Sequence, residues 1–331
     1  MMRRLGLFIL ACCFGSAGFG ADASLRKATF LPQWEPQAQF AGYYVAYEKG
    51  IYKKHNIDVT ILRGGPVNPP CEALETGKAD FATMFLSTAL AERDKGLKIC
   101  NIGQIVQKSA LLLIAKKASG IETPLDFAGK RIGIWPDFAI QPQALFRKFN
   151  VEVESVTQTF TMNILLSGAV DVASAMWYNE YHVLMNSGLE EEDMQVFFFS
   201  NYDLNFPEDG IYCREETLKN DCELCKDFVA ASLEGWKYTF ANPDEALDIV
   251  MKYVREANLP TNRVHQKWML TRMKDLILPL GDKTAMGKMA EEDFQTVVDE
   301  LLKSGIITYK PTFSEFYENC ATLYEETKPG V

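Results

Sequence analysis

Apolar and polar positions along the chain switch repeatedly between the two-residue period of a strand and the three-to-four-residue period of a helix. KATFLPQW reads as a strand entering a loop, and AGYYVAYEKGIYKKHN as helix with stops near Gly50 and Asn56. IDVTILRGG is a β-branched strand closed by Gly64 and Gly65, and PPCEALETGKAD is a helix ending at Gly77. FATMFLSTALAERDKG gives a short strand and another helix, and ICNIGQIVQKSALLLIAKK gives one long extended stretch. Strands alternating with helices in this way predict an α/β fold with parallel-rich sheets.

TPLDFAGKRIGIWP starts the rhythm again. It supplies the strand RIGIW, followed by the helix QPQALFRKF, the strand VESVTQTF, the helix TMNILLSGA, the strand DVASAMWYN and the helix EYHVLMNSG. SGAVDVASAM echoes TGKADFATMF: each time a helix ends at glycine, turns through an aspartate and enters a strand of small residues. The echo predicts two similarly built lobes. From Cys222 onward the chain is mostly amphipathic helix, including CKDFVAASLEGWKYTFANPDEALDIVMKYV, TNRVHQKWMLTRMKDLI and EEDFQTVVDELLKSG. Such helices cover a sheet already made, so the chain is expected to return to its first lobe. Residues 24–115 and 213–331 would form lobe 1 and residues 116–212 lobe 2, with crossings near LLLIAKK and DGIYC.

Composition narrows the class. Arg3 and Arg4 precede an apolar run from Leu5 to Phe14 and the small-residue stretch GSAGFGADA, which together read as a secretory leader over residues 1–23. Cys12 after ILA faintly resembles a lipoprotein cleavage site, but Leu10 fits that pattern poorly, so a free periplasmic protein is expected. No later stretch reaches the roughly 20 apolar residues of a membrane span. The whole chain of 331 residues carries a net charge of -10, and losing Arg3 and Arg4 makes it more acidic still. An acidic exported chain without basic clusters argues against nucleic acid and anionic lipid as partners. Six cysteines follow the leader: Cys71, Cys100, Cys213, Cys222, Cys225 and Cys320. Cys222 and Cys225 have C-x-x-C spacing but no thioredoxin-like unit around them, and read as a local disulfide or two free thiols. With no second ligand pair and His55, His182 and His265 scattered, neither a metal nor a cofactor is expected.

The segment QWEPQAQFAGYYVAYEKG packs five aromatic side chains and three glutamines into eighteen positions, either as core or as the wall of a pocket for something flat and uncharged. This segment, with GKADFATMFLSTALAERDKG, DFAGKRIGIW and AMWYNEY, resembles the periplasmic substrate-binding proteins of ABC importers. Within that class it is most similar to the family named for thiamine-pyrimidine biosynthesis, over nearly all of the mature chain. The resemblance implies a two-lobed periplasmic binding protein of type II, each lobe a mixed sheet flanked by helices, with a two-strand hinge. It implies an inner-membrane ABC permease as partner and a monomer that binds a small heterocyclic ligand between its lobes. A thiamine pyrimidine precursor or a flavin would suit. Nitrate, sulfonate or taurine is the alternative among relatives. A fungal pyrimidine synthase of the same fold consumes its own histidine beside a cysteine cluster for iron. Ser87 stands near that histidine's position and Cys213 alone near the cluster, so no catalytic residue is expected.

Individual positions carry paired readings. Trp34 lies in a strand-to-helix loop, where open α/β sheets bind ligands, and reads as a stacking platform or as a cap on the core. Gln37 accompanies it. Phe40, Tyr43, Tyr44 and Tyr47 follow i, i+3, i+4, i+7; Phe40 or Tyr43 is expected to reach the cleft and Tyr47 to be core. Gly64 and Gly65 could bring backbone close to a ligand or simply turn. Ser87 could donate to a carbonyl or anion, or cap a helix. Trp135 ends a strand before Pro136 and is a candidate for the opposite wall. Tyr178, Asn179 and Glu180 follow a strand at its C-terminal edge, where Glu180 could accept from ring N–H or amino groups. Asp209 at the return crossing could pair with an amine or simply shape a turn. Candidate loops hold no convergent cations, Arg63 being the single one nearby, which favours a nitrogen-rich heterocycle over an oxyanion.

Overall fold

The echo between the two halves is realised as two sheets of the same plan. In the computed structural model, which describes residues 25–321, the first sheet contains Arg26–Leu31 (β1), Ile57–Ile61 (β2), Phe81–Met84 (β3), Ile99–Val106 (β4) and Glu208–Arg214 (β10). The second contains Leu111–Lys116 (β5), Arg131–Ile134 (β6), Glu154–Thr157 (β7), Val172–Met176 (β8) and Met194–Phe198 (β9). The orders are β2-β1-β3-β10-β4 and β7-β6-β8-β5-β9. Each is a parallel trio extended by an antiparallel strand from elsewhere in the chain. The expected leader over 1–23, with Cys12, lies outside the described residues.

The echoed segments occupy the third strand of each sheet and work identically. Gly77 and Gly168 take φ of +71° and +74°, left-handed values that glycine adopts without steric cost. Asp80 Oδ2 then accepts the Thr29 N–H of β1 at 2.8 Å, and Asp171 Oδ2 accepts the Arg131 N–H of β6 at 2.9 Å. Each aspartate therefore satisfies a donor of the neighbouring parallel strand just before the ladder begins.

The chain passes between sheets over residues 107–110 and returns over 199–207, earlier than the sequence suggested on both occasions. Leu111–Lys116 and Glu208–Arg214 are the inserted antiparallel strands, so LLLIAKK starts in the second sheet and DGIYC lies in the first. Ser109 and Asn205 tie the two passages together, the Ser109 N–H donating to Asn205 Oδ1 at 3.0 Å.

Among the C-terminal helices, Cys222–Ala241 packs on the first sheet through Phe228. That ring stacks on Phe81 at 4.1 Å and lies 5.3 Å from Phe30 of β1. The expected continuous helix breaks at Asn242, because Pro243 lacks an N–H and opens a new helix, Pro243–Glu256. The helix Arg263–Ile277 buries Met269 and Leu276 but sends Trp268 toward the second sheet. The strand Met194–Phe198 was not apparent in the apolar pattern. TMNILLSGA forms just one helical turn, Asn163–Leu166. Among the described residues no helix is long and apolar enough to cross a membrane.

Candidate functional site

The C-terminal ends of the parallel strands of both sheets feed loops into one cleft, closed at the back by the crossings. Two cavities lie along it. The one near the crossings is lined by Phe85, Ser87, Phe138, Gln141, Met176 and Glu208 and has a volume of about 20 Å³, room for little more than one water. The one at the mouth measures about 380 Å³, within the range of small-molecule sites, and is lined by Trp34, Gln37, Asn179, Asn186, His265 and Gln266, among others.

The first lobe supplies the loop after β1. Trp34 is half-buried there, and its ring centroid lies 6.0 Å from that of Phe160, which is 78% exposed and projects from the opposite lobe. Gln37 lines the mouth and its amide donates to Gln39 Oε1. Gln39 and Gln33 both donate their side-chain amides to Asp209, at 2.7 Å for Gln39, so this carboxylate anchors the aromatic loop from below. Gly64 and Gly65 lie behind that loop rather than in the cavity. A Cβ at Gly64 would meet Pro32 O at 2.0 Å and Trp34 O at 2.4 Å.

Phe40 and Tyr43 do not reach the cleft. Both are buried in the first lobe's core, with Tyr43 against Phe30 at 4.6 Å, and it is Tyr47 that is exposed. Phe40 belongs to a 3-10 turn, Ala38–Phe40, and the α-helix starts at Ala41, so the i, i+3, i+4, i+7 stripe does not run through one continuous helix. Ser87 is the second residue of the helix Leu86–Asp94, not its cap, and lines the crossing-side cavity.

The second lobe presents an aromatic wall and a carboxylate. Trp135 is nearly buried, its indole donating to Thr159 O at 2.9 Å. It supports Phe138, which meets Phe85 across the cleft at 5.1 Å. Glu180 opens the helix Glu180–Asn186 and is buried. Its Oε2 accepts from the Met176 N–H at 3.0 Å and its Oε1 from Asn179 Nδ2 at 2.7 Å. Asn179 Oδ1 in turn accepts from His265 Nε2 at 2.8 Å, joining the second lobe to the helix Arg263–Ile277. His182 and Tyr181 stack on Trp268 of that helix, and the Arg272 guanidinium covers both Trp177 and Trp268.

Glu208, which sequence reasoning missed, is the most exceptional group. It is buried at the first position of β10, and its Oε1 accepts from Ala110 N at 2.6 Å, Ser109 Oγ at 3.1 Å and Leu111 N at 3.2 Å. Its Oε2 has no hydrogen-bond partner. Burial, with Asp209 beside it, pushes the carboxyl up to about 8, against those three donors. Burial likewise raises Asp209 to about 7, and raises Glu180. Tyr178 is buried among all three, its hydroxyl pushed well above the usual range by burial and then by Glu208, Asp209 and Glu180. Adjacent residues of a strand face opposite ways, so the pair Glu208-Asp209 in FPEDGIY signals a carboxylate for each lobe. Arg63, the cation expected nearby, is tied by its Nε to Glu35 at 2.8 Å. Among the described residues no cluster of histidines, cysteines and carboxylates could hold a metal ion.

Comparison with known proteins agrees with this architecture. The chain is 29% identical to the riboflavin-binding protein RibY of Chloroflexus aurantiacus, over 72% of its length and 70% of the relative's. It is 24% identical to a formylaminopyrimidine-binding protein of Halalkalibacterium halodurans, over 77% and 78%. Over 45% of the chain and 44% of the relative it is 30% identical to a 4-amino-5-hydroxymethyl-2-methylpyrimidine phosphate synthase of Schizosaccharomyces pombe. The fold is that of the periplasmic aliphatic sulphonate binding protein from Escherichia coli, with a TM-score of 0.69 at 15% identity over 90% of this chain and 99% of that one. A model of the NMT1/THI5-like family matches residues 37–246, more than half of the sequence, and the chain belongs to that family.

Proposed function

We propose that this chain is the extracytoplasmic solute-binding component of an ABC importer, and that it closes on a small aromatic heterocycle bearing N–H donors, such as a thiamine pyrimidine precursor. The observation that carries this reading is Glu208: a buried carboxyl with one oxygen unpartnered, in a cleft whose other buried carboxyls are Asp209 and Glu180. A protonated ring nitrogen or amine beside it would hold the carboxyl ionised and satisfy that oxygen, whereas a sulfonate or nitrate would meet three acids and, among the described residues lining the two cavities, no lysine or arginine. The ligands in the names of two relatives, riboflavin and formylaminopyrimidine, are of the favoured kind.

Trp34, Gln37, Asn179 and Tyr178 would contact the ligand, and Glu180 and Asp209 would fix the loops that carry them. Phe40, Tyr43, Gly64 and Gly65 serve the scaffold. Closure about the two crossings would bury the ligand and present a monomeric closed form to a membrane permease. No bond is made or broken. By the resemblance, Ser87 falls near the position of the fungal enzyme's consumed histidine, and a serine hydroxyl cannot supply that ring.

The test is a thermal-shift panel on the purified mature chain, with aminopyrimidines, thiamine, riboflavin, taurine, alkanesulfonates and nitrate, followed by calorimetry. Stabilisation by a pyrimidine or flavin, weakened in Glu208→Gln and Trp34→Ala, is expected. Stabilisation by sulfonate or nitrate alone would overturn the ligand class, and turnover of a bound pyrimidine precursor would overturn the binding role.

A further inference from the structure

Five of the six cysteines that follow residue 24 gather under the first sheet, drawn from four separate stretches of the chain. Cys213 Sγ of β10 lies 3.8 Å from Cys100 Sγ of β4 and 4.0 Å from Cys225 Sγ on the helix Cys222–Ala241. Cys320 completes the group, close enough to feel Cys225, Cys222 and Cys100. Cys100, Cys213, Cys225 and Cys320 are all buried, and Cys222 is half-buried at the helix start. The binding reading uses none of them.

We propose that Cys100 and Cys213 become joined as a disulfide when the chain folds under oxidising conditions, an assignment that rests on the exported location proposed above. The two residues are direct partners in the antiparallel β4–β10 ladder. Opposed residues in such a ladder have Cα atoms about 4.5–5.5 Å apart, inside the range a disulfide spans. A register shift between Ile211 and Tyr212 gives β10 local freedom next to the bond. Cys225 is farther from Cys213 and sits on a helix.

The chemistry is thiol–disulfide exchange. The Cys213 thiolate attacks a disulfide-bearing oxidant, breaking its S–S bond and releasing one thiolate. The Cys100 thiolate then attacks the Cys213 sulfur of the mixed disulfide and releases the second. The oxidant gains two electrons and the two protons, and the protein gains one S–S bond. Because the contacts with Cys100 and Cys225, and then burial, push the Cys213 thiol well up in the folded chain, exchange belongs to the folding stage, before the helix Cys222–Ala241 covers it.

The bond would enclose the whole second lobe in one loop. It sits at the ends of β4 and β10 remote from the crossings, so it fastens the first sheet without touching the hinge.

The test refolds the denatured, reduced mature chain in a reduced and oxidised glutathione buffer, alkylates free thiols and maps peptides by mass spectrometry. A peptide pair linked through Cys100 and Cys213 is expected, with a melting midpoint lowered by about 5–10 °C on adding reductant. The double variant Cys100→Ala/Cys213→Ala should fold and lose that sensitivity to reductant. Six free thiols after oxidative refolding, a Cys213–Cys225 link instead, or an undiminished reductant effect in the double variant would overturn the assignment. Refolding is done in vitro, so its outcome is separate from any failure of the exported-importer reading.

Discussion

Nδ1 of His182 lies 2.9 Å from Nδ1 of His265, with the two rings on opposite sides of the cleft. His265 Nε2 donates to Asn179 Oδ1, so a neutral His265 presents a bare Nδ1 to His182, and the contact holds one proton at most. A second proton would set N–H against N–H. Burial, with His182 beside it, holds His265 down at about 4, and burial also lowers His182. Both rings are more basic when the contact is open, near 6.5. The contact is therefore fully present above about pH 6.5 and is lost as pH falls toward 4. Small-angle scattering should show the lobes parting across that window. His265→Gln, which can still bond Asn179, should flatten the profile, and an unchanged profile in the variant would remove this pair as the cause.

Glu208 gives a pH dependence of opposite sign. Its folded carboxyl titrates at about 8 against an ordinary value of 4.5, so the fold prefers the protonated form. The stability this confers is present below about 4.5 and declines as pH rises through 8. Glu208→Gln keeps an oxygen for Ser109, Ala110 and Leu111 and removes the charge. It is expected to gain about 3–4 kcal/mol over the parent at pH 8 and under about 1 kcal/mol at pH 5, read from urea unfolding. Equal differences at both pH values would show that ionisation of Glu208 does not burden the fold.

Much of the architecture was legible because it repeats. The glycine–aspartate turns before β3 and β8 could be read directly, since Gly77, Asp80, Gly168 and Asp171 each do one local task that residue type dictates. The crossings were harder to read. β5 is an apolar strand like any other and β10 a mixed one, and nothing local says that each lies in the sheet opposite to the strand before it. At the site, Trp34, Gln37, Asn179 and Ser87 were visible from their positions after strands. Glu208, Phe138, Phe160 and His265 were not, because their importance depends on what faces them from another lobe. Phe40 and Tyr43 misled because the residue spacing ignored the 3-10 turn ahead of the helix.

The Trp34–Phe160 contact should behave as a two-sided clamp. Phe160 is largely exposed and holds little of the fold together, so Phe160→Ala should leave the melting midpoint within about 1–2 °C of the parent. Each single alanine variant should weaken binding of the stabilising heterocycle by about 3- to 10-fold. The double variant should fall short of the product, because a ring left alone can no longer enclose the ligand. Calorimetric titration of the four proteins measures this. Unchanged affinity in Phe160→Ala would make the pair a lobe contact rather than a ligand wall.

Gly64 should be the least tolerant position behind the site. An added Cβ would stand 2.0 Å from Pro32 O and 2.4 Å from Trp34 O, and both atoms are backbone with no rotamer to yield. Gly64→Ala is therefore expected to displace the Trp34 loop, costing about 3 kcal/mol in denaturant unfolding and most of the ligand affinity. Gly50→Ala is the useful contrast. Nothing lies within 4 Å of its added Cβ, so its cost is the left-handed backbone alone, about 1–2 kcal/mol at φ +66°, with binding retained. If Gly64→Ala were as stable and as active as Gly50→Ala, the loop could shift freely, and the geometry of Trp34 would have to be set from the other side, by Gln33 and Gln39 on Asp209.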